Sequence, residues 1–299
     1  MSIERILVPP LRNLGDGFQV RRALPASQQR TVGPFVFFDQ MGPTRLAPGK
    51  GLDVRPHPHI GLATVTYLFE GEIMHRDSLG SEQAIRPSEV NWMIAGSGIV
   101  HSERTANDKR GAGPALFGLQ SWVGLPRREE ECAPSFQHYA ADSLPASEDG
   151  GVSVRLVAGT LEGARSPVRT LSEMVYADLA LSAGTRYQIP IEHSQRALYI
   201  VQGRIAIGDQ KLEEGRMIIL QTGKPVLITA EDAARLMLLG GAPLDGPRHL
   251  WWNFVSSSKE RIEQAKADWR EQRFGRVPGD SEFIPLPEEP PATKPVNYP

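Results

Sequence analysis

Four residues at matching spacing could form a metal site. His57 and His59 flank a proline, and His101 and Glu103 flank a serine. In an extended strand, side chains two residues apart point to the same face of the sheet. If the two segments lie on neighbouring strands, they offer three nitrogens and one oxygen to one cation. Iron(II), manganese, cobalt and nickel can all be six-coordinate, and such an ion would keep two positions open.

Each pattern also has an ordinary structural explanation. A lone His-x-His or His-x-Glu on a strand is commonly satisfied by hydrogen bonds, and Pro56 and Pro58 can simply stiffen a turn. A metal-free structural domain therefore stays open as an alternative. The metal interpretation depends on the two patterns acting together.

Short strands are predicted along most of the chain. The 29 glycines and 25 prolines favour many turns. Segments of alternating or β-branched character end at such turns, and they comprise residues 63–69, 90–94, 153–157, 197–201, 204–207, 217–220 and 236–239. Short strands at regular spacing predict an all-β sandwich or barrel.

One helix is predicted near the end of the chain. Ser257 and Glu260 fit a capping box, and the apolar residues that follow lie at helical spacing. We expect this helix to end near Gly275. The remaining segment is rich in proline, so it should be either extended along the body or disordered.

The two halves of the chain resemble each other, which indicates a duplicated unit. The segment 67–71 ends at Gly71 as the segment 199–203 ends at Gly203. Equal spacing from these glycines places Ile189 and Ile191 where the first copy has His57 and His59. A looser match of residues 87–93 to residues 214–220 places Ile228 and Ala230 where the first copy has His101 and Glu103. Because buried imidazoles without partners are unfavourable, this predicts a metal-binding first domain and a structural second one.

Polar segments suggest where the domains meet. Residues 124–131 and 142–151 have the composition of solvated connections. We therefore predict domains at residues 1–133 and 134–256, followed by the helix and proline-rich tail at residues 257–299.

Composition argues against several classes of protein. The net charge of -2 and the lack of a basic block give no support for direct nucleic-acid binding. Cys132 is the single cysteine, so no internal disulfide can form, and its simplest role is that of a small buried apolar residue. No signal peptide or apolar run of membrane-spanning length is present, so we expect a cytoplasmic protein without membrane partners.

The chain resembles the pirin family of the cupin superfamily. The resemblance is dense over residues 34–125, and its most specific segments are residues 37–39, 55–71, 75–80, 85–87, 90–103 and 118–123. It implies two tandem cupin-type jelly rolls, and it implies that His57, His59, His101 and Glu103 are the metal ligands. In many cupins a glutamate follows the histidine pair closely. Here that place holds Ala63 and Thr64, so the carboxylate must come from Glu103.

The resemblance also implies an activity. Some pirins are similar in activity to quercetin 2,3-dioxygenases, which use one divalent metal ion and O2 to cleave flavonols. We expect iron(II), with zinc, manganese, cobalt, nickel and copper left open, and flavonol-like or enolic substrates. Glu103 has a second expected role as the general base. His75 is either a neighbour of the ligands or a partly exposed strand residue, and Trp92 and Phe38 either line a pocket or belong to the core.

A regulatory role is the alternative. Pirins are also described as iron-dependent redox sensors that bind a transcription factor or a metabolic enzyme. Arg22, Arg30, Arg55 and Arg76 are the candidates for a charged patch that would serve such a protein partner. The sequence leaves the substrate, the native metal and the oligomeric state open.

Overall fold

The structure is a computed structural model that describes residues 2–13 and 19–288. Its strands in the first half are β1 (Ile3–Leu7), β2 (Leu11–Asn13), β3 (Gln19–Leu24), β4 (Phe35–Arg45), β5 (Asp53–His59), β6 (Leu62–Glu70), β7 (Ile73–Asp77), β8 (Glu82–Ile85), β9 (Val90–Ile94), β10 (Ile99–Arg104), β11 (Ala115–Gly124) and β12 (Ser135–Tyr139). A short helix α1 (Asn107–Arg110) precedes β11.

The second half continues in the same style. Its strands are β13 (Ala146–Asp149), β14 (Val152–Leu161), β15 (Ala164–Arg165), β16 (Met174–Leu181), β17 (Arg186–Ile189), β18 (Gln195–Gln202), β19 (Arg204–Ile207), β20 (Gln210–Glu213), β21 (Met217–Leu220), β22 (Val226–Ala230), β23 (Ala234–Gly241), β24 (His249–Trp251) and β25 (Phe254–Ser256). Helix α2 (Lys259–Arg270) follows. The predicted all-β architecture is confirmed, and each of the seven predicted strand segments lies within a strand.

The chain forms two compact units that interleave along the sequence. One unit, here called the apolar unit, comprises the residues up to Gln40 and Tyr139–Pro243. The other, here called the histidine unit, comprises Met41–His138 and the residues from Leu244 on. The domain ranges 1–133, 134–256 and 257–299 stay a prediction.

The histidine unit contains two antiparallel sheets. One is four-stranded, in the order β5-β10-β7-β8, and the other includes β12, β9, β6 and β11 in that order. Strand β6 is buried over most of its length, as expected for a strand covered on both faces. Its apolar side chains from Leu62 to Leu68 are fully buried.

The apolar unit repeats this arrangement. A four-stranded sheet has the order β17-β22-β19-β20, and a larger sheet contains β1-β21-β18-β23-β16-β14-β13. Side chains from both sheets form one continuous hydrophobic cluster, which includes Leu156, Ile189, Ile205 and Ile228. The burial of this cluster is the main stabilising contribution in this unit.

Two turns confirm the duplication. Gly71 follows β6 with φ of +94°, and Gly203 follows β18 with φ of +80°. A Cβ atom would lie 2.3 Å from the Ala115 carbonyl oxygen at the first position and 2.4 Å from that of Ala233 at the second. Only glycine fits such a close approach in the left-handed region, so the same constraint acts twice.

The looser match between the copies also holds. Strands β22 and β17 pair as β10 and β5 do: Ile228 lies opposite Tyr187, and His101 lies opposite His57. Ile228 and Ala230 are buried, as predicted for the counterparts of His101 and Glu103.

The predicted counterparts of the first histidine pair were wrong by two residues. The register gives Tyr187 and Ile189 as the equivalents of His57 and His59, whereas Ile191 lies beyond the end of β17 and is 54% exposed. Counting equal numbers of residues back from Gly71 and Gly203 gave the wrong counterparts because the two connections differ in length. The connection after β17, residues 190–194, is longer than the connection after β5, residues 60–61.

Helix α2 was predicted with its cap one residue early. Its N-cap is Ser258, whose side chain accepts a hydrogen bond from the Arg261 backbone N–H. The helix ends at Arg270, before the predicted Gly275. The predicted disorder or extension of the proline-rich tail falls partly on residues 289–299, outside the described residues. Among the described residues, no helix is both long and apolar enough to cross a membrane.

Candidate metal centre

Neighbouring strands bring the three predicted histidines together. His57 and His59 lie on β5 and His101 lies on β10, with His101 opposite His57 and Ile99 opposite His59. Because side chains alternate between the two faces along each strand, the three imidazoles point to the same face of the sheet. All three residues are buried there. The predicted convergence of the imidazoles is therefore present.

The three rings form a tight group. Ring centroids are 4.4 Å apart for His57 and His101, and 5.0 Å apart for each of the other two pairs. One nitrogen from each ring lies within 4.8 Å of the others. Three nitrogens at such spacing can approach a single divalent cation.

Hydrogen bonds at Nδ1 determine which nitrogen of two of the rings is free. His57 Nδ1 lies 2.9 Å from the Arg55 carbonyl oxygen, and His59 Nδ1 lies 3.2 Å from that of Asn253. A carbonyl oxygen only accepts, so Nδ1 carries the hydrogen in both rings and Nε2 is left with its lone pair. Such an arrangement of the second nitrogen is typical of metal-binding histidines.

His101 provides the test of whether a metal fits. Its Nε2 atom is buried and has no hydrogen-bond partner. A buried polar atom without a partner is unfavourable, and a cation that accepts its lone pair removes the penalty. The donor set of the cluster therefore fits a bound divalent metal ion.

Burial keeps the imidazoles uncharged. Desolvation lowers the pKa of His57 to about 4, and it lowers the pKa of His59 and His101 well below the ordinary value. Neutral imidazole is the form that binds metal, so the cluster is ready for a cation at neutral pH.

These pKa shifts predict that the metal-free protein loses stability as the pH falls from 6.5 towards 4. The folded protein protonates His57 with a pKa of about 4, against 6.5 in the unfolded chain. Between these values the unfolded state binds more protons, so the free energy of unfolding decreases with decreasing pH. Below that range His57 alone accounts for a loss of about 3 kcal/mol. Urea unfolding of metal-free protein across this range measures the slope, and His57→Gln should reduce it. An unchanged slope in that variant would contradict the assignment.

Glu103 lies two residues after His101 on β10 and is not in the group of three nitrogens. The pairing of β10 with β5 shifts register between His101 and Glu103, and Glu103 Oε1 lies 3.2 Å from the Thr66 hydroxyl. The same hydroxyl lies 2.9 Å from the Gln120 side-chain amide. Burial raises the pKa of Glu103 above its ordinary value. The role of Glu103 as a ligand stays a prediction.

A hairpin near the end of the chain supports His59. Strands β24 and β25 flank Asn253, and Phe254 forms a bridge to Ile60 next to the histidine. This hairpin is anchored by Glu130, which accepts hydrogen bonds from the Ser257 backbone and side chain. The segment after the second copy therefore completes the histidine unit.

The structure also locates the other residues that the sequence analysis considered for the site. His75 is buried beside His101, with ring centroids 5.2 Å apart, so its place as a neighbour of the cluster is confirmed. Trp92 and Phe38 are core residues, whereas Cys132 is of intermediate exposure and not fully buried as expected. In the proposed charged patch, Arg22 pairs with Asp39 and Arg76 with Glu82.

Several supporting residues escaped the sequence analysis. Trp122 packs edge-on to His59 with centroids 5.2 Å apart, and Phe136 stacks on His75 at 4.2 Å. Thr66 and the Asn253 carbonyl were also missed. The spacing of the four predicted ligands does not indicate these residues, since each reaches the site from another strand or from the hairpin β24–β25.

Comparisons with known proteins agree with this geometry. Residues 17–123 match the family described as pirin, and residues 176–275 match the pirin C-terminal cupin domain. A pirin-like protein of Caulobacter vibrioides is 50% identical over 281 residues, which cover 93% of this chain and 96% of that protein.

Solved structures show the same fold. A quercetin 2,3-dioxygenase from Acinetobacter baumannii superposes with a TM-score of 0.90 at 33% identity, covering 97% of each chain. A bacterial pirin from Escherichia coli, solved in complex with nickel(II), has a TM-score of 0.63 at 18% identity and covers 80% of this chain and 100% of that chain, which shows a shared fold. The family matches, the 50% identical relative and the architecture show that this chain is a member of the pirin family, built from two cupin domains.

Proposed function

We propose that this protein is a metal-dependent dioxygenase of the quercetin 2,3-dioxygenase type. The observation that carries the proposal is the group of three buried, neutral imidazoles, with a carboxylate of raised pKa, that of Glu103, two residues from His101 on the same strand. The name of the Acinetobacter relative, which shares 33% identity over nearly the whole chain, supports the reaction class.

His57, His59 and His101 would hold one divalent ion through Nε2, with Glu103 as the fourth ligand. We propose iron(II) as that ion, although the same donors suit other first-row metals. When bound, the ion supplies Lewis acidity toward the substrate oxygens and one-electron chemistry toward O2. The protein keeps the imidazoles neutral and oriented for that purpose.

Glu103 would take the proton from the substrate hydroxyl. Its raised pKa brings the carboxylate closer to the pKa that suits a general base near neutral pH. The Thr66 hydroxyl can donate to the carboxylate and hold it in place, while the Gln120 amide can turn its NH2 group toward Thr66. Flavonol-like and enolic molecules are the proposed substrates, because they offer an acidic hydroxyl next to a carbonyl.

Oxygen uptake with quercetin tests the proposal. Protein loaded with iron(II) should consume one O2 and release one carbon monoxide for each flavonol cleaved. Glu103→Gln, supplied with enough iron(II) to fill the three-histidine site, should lose roughly 100-fold or more in turnover. The exposed Glu82→Gln serves as the control and should behave like the parent protein.

Two outcomes would count against the proposal. Full turnover by a metal-loaded Glu103→Gln protein would eliminate the general-base role. Stoichiometric metal binding without flavonol turnover, together with redox-dependent capture of a protein partner, would instead favour the regulatory alternative.

A further inference from the structure

We propose that Asp77 and His75 are positioning residues for the metal centre, because their hydrogen-bond chain holds His101 in the tautomer whose Nε2 faces the other two imidazoles. This inference rests on the metal site proposed above. It assigns a role to two buried polar residues that coordination alone does not explain.

The chain of hydrogen bonds starts at Asp77, which is 0% exposed. Its Oδ1 accepts from the backbone N–H groups of Leu79 at 2.9 Å and Ser81 at 3.0 Å. Its Oδ2 lies 3.0 Å from His75 Nε2. Burial alone would raise the pKa of Asp77, but the hydrogen bonds from His75 and Ser81 bring it below the ordinary value. Asp77 is thus ionised, and its Oδ2 accepts the hydrogen bond from His75.

The direction of each bond then follows from the donors available. An ionised carboxylate only accepts, so His75 Nε2 carries a hydrogen and, in the neutral ring, His75 Nδ1 is an acceptor. His75 Nδ1 lies 3.4 Å from His101 Nδ1. His101 therefore donates from Nδ1, and its Nε2 keeps a lone pair. That conclusion agrees with His57 and His59, whose Nδ1 atoms also donate.

The reverse tautomer is unfavourable in the same surroundings. A hydrogen on His101 Nε2 would be a buried donor, and that atom has no hydrogen-bond partner in the structure. It would also occupy the lone pair that a cation needs. The stacking of Phe136 on His75, at 4.2 Å and 10° between planes, keeps the His75 ring in the orientation that the chain requires.

The apolar unit provides an internal comparison. In the histidine unit, His101 lies opposite Asp77 on β7, and Glu103 lies opposite His75.

The corresponding pairs in the apolar unit contain no polar side chains. Ile228 lies opposite Ile207 on β19, and Ala230 lies opposite Ile205. In the apolar unit, the positions opposite Ile228 and Ala230 are therefore both isoleucine, whereas in the histidine unit the positions opposite His101 and Glu103 are Asp77 and His75. The fold therefore forms without this chain, and the chain accompanies the ligands.

The test uses two measurements on the full-length protein. In metal-free parent protein, long-range ¹H–¹⁵N correlation spectra above pH 7 distinguish a protonated from a bare ring nitrogen, and we expect His101 to carry its hydrogen on Nδ1. A hydrogen on His101 Nε2 would overturn the proposal. This measurement needs no variant and no metal, so it remains decisive even if the metal site itself proves wrong.

The second measurement is cobalt(II) affinity, followed by the visible absorption of the bound ion. Asp77→Asn offers His75 an amide that can donate, which favours the reverse tautomer. We expect its affinity to fall by roughly 10- to 100-fold, the range typical of partners that orient a ligand. Asp178→Asn, a buried aspartate of the apolar unit that pairs with Arg235, is the matched control and should bind as the parent does.

The outcomes separate this inference from the proposed function. Parent-like cobalt affinity and an unchanged His101 tautomer in Asp77→Asn would overturn the positioning role while leaving the metal site intact. Absence of cobalt binding in the parent protein would instead refute the metal site. His75→Gln provides a second variant if Asp77→Asn does not fold, and it should show the same loss of affinity.

Discussion

His101→Ile is expected to lose metal binding while keeping its fold. Isoleucine is the residue that the apolar unit carries at the matching position, Ile228, where it is fully buried. The substitution removes a ligand and a buried nitrogen that has no hydrogen-bond partner. Loss of a partner that orients a ligand reduces affinity by about 10- to 100-fold, so loss of the ligand itself should exceed about 100-fold. Titration with cobalt(II) measures the affinity, and urea unfolding measures the stability.

The stability of this variant should stay close to that of the metal-free parent protein, because removal of the unpaired Nε2 offsets loss of the hydrogen bond between His101 Nδ1 and His75 Nδ1. An apolar side chain of suitable size needs no partner in a site where an unpaired nitrogen is unfavourable. His193→Gln is the control, because His193 is a buried histidine of the apolar unit whose Nε2 bonds the Thr160 carbonyl oxygen. The control should bind cobalt normally. Equal affinity of His101→Ile and the parent would show that the cluster is not the metal site.

Glu130→Ala is expected to destabilise the histidine unit by about 3 kcal/mol, because it removes one of the two carboxylates that pair with the buried Arg248 guanidinium and leaves only Asp245. Glu130 lies 2.5 Å from the Arg248 guanidinium, and both side chains are almost fully buried. Its carboxylate also accepts from the Ser256 hydroxyl and from Ser257, which fixes the end of the hairpin β24–β25. Loosening of this hairpin should weaken the support that the Asn253 carbonyl gives to His59. Urea unfolding and hydrogen exchange of residues 249–256 measure these effects.

The neighbouring residue supplies a matched control for Glu130. Glu131 forms an ion pair with Arg261, but its side chain is 54% exposed. Exposed pairs contribute between about 0 and 1 kcal/mol, so Glu131→Ala should change the stability little. Similar losses in the two variants would mean that the buried pair does not anchor the hairpin.

Much of the site follows from local sequence patterns. The period of two along β5 and β10 places His57, His59 and His101 on one face, and the Gly71 turn recurs at Gly203. Both features depend on neighbouring residues within a strand or turn, so they can be deduced without tertiary information. The strands were predicted for the same reason.

Contacts between distant segments were harder to predict from the sequence. The counterpart of His59 was misplaced because the length of a connection, residues 190–194, does not follow from the strands that it joins. The Asn253 carbonyl reaches His59 from 194 positions along the chain, and the backbone atom that it offers carries no side-chain signal. The Asp77–His75–His101 chain depends on the register between β7 and β10, which side-chain patterns alone do not specify.

Anomalous diffraction from a crystal loaded anaerobically with iron(II) tests the central claim most directly. The account predicts one strong peak per chain within bonding distance of Nε2 of His57, His59 and His101. It predicts no such peak beside Tyr187, Ile189 and Ile228, the equivalent positions in the apolar unit. A fully loaded crystal with no peak at the three histidines, or with its iron bound elsewhere, would contradict the account.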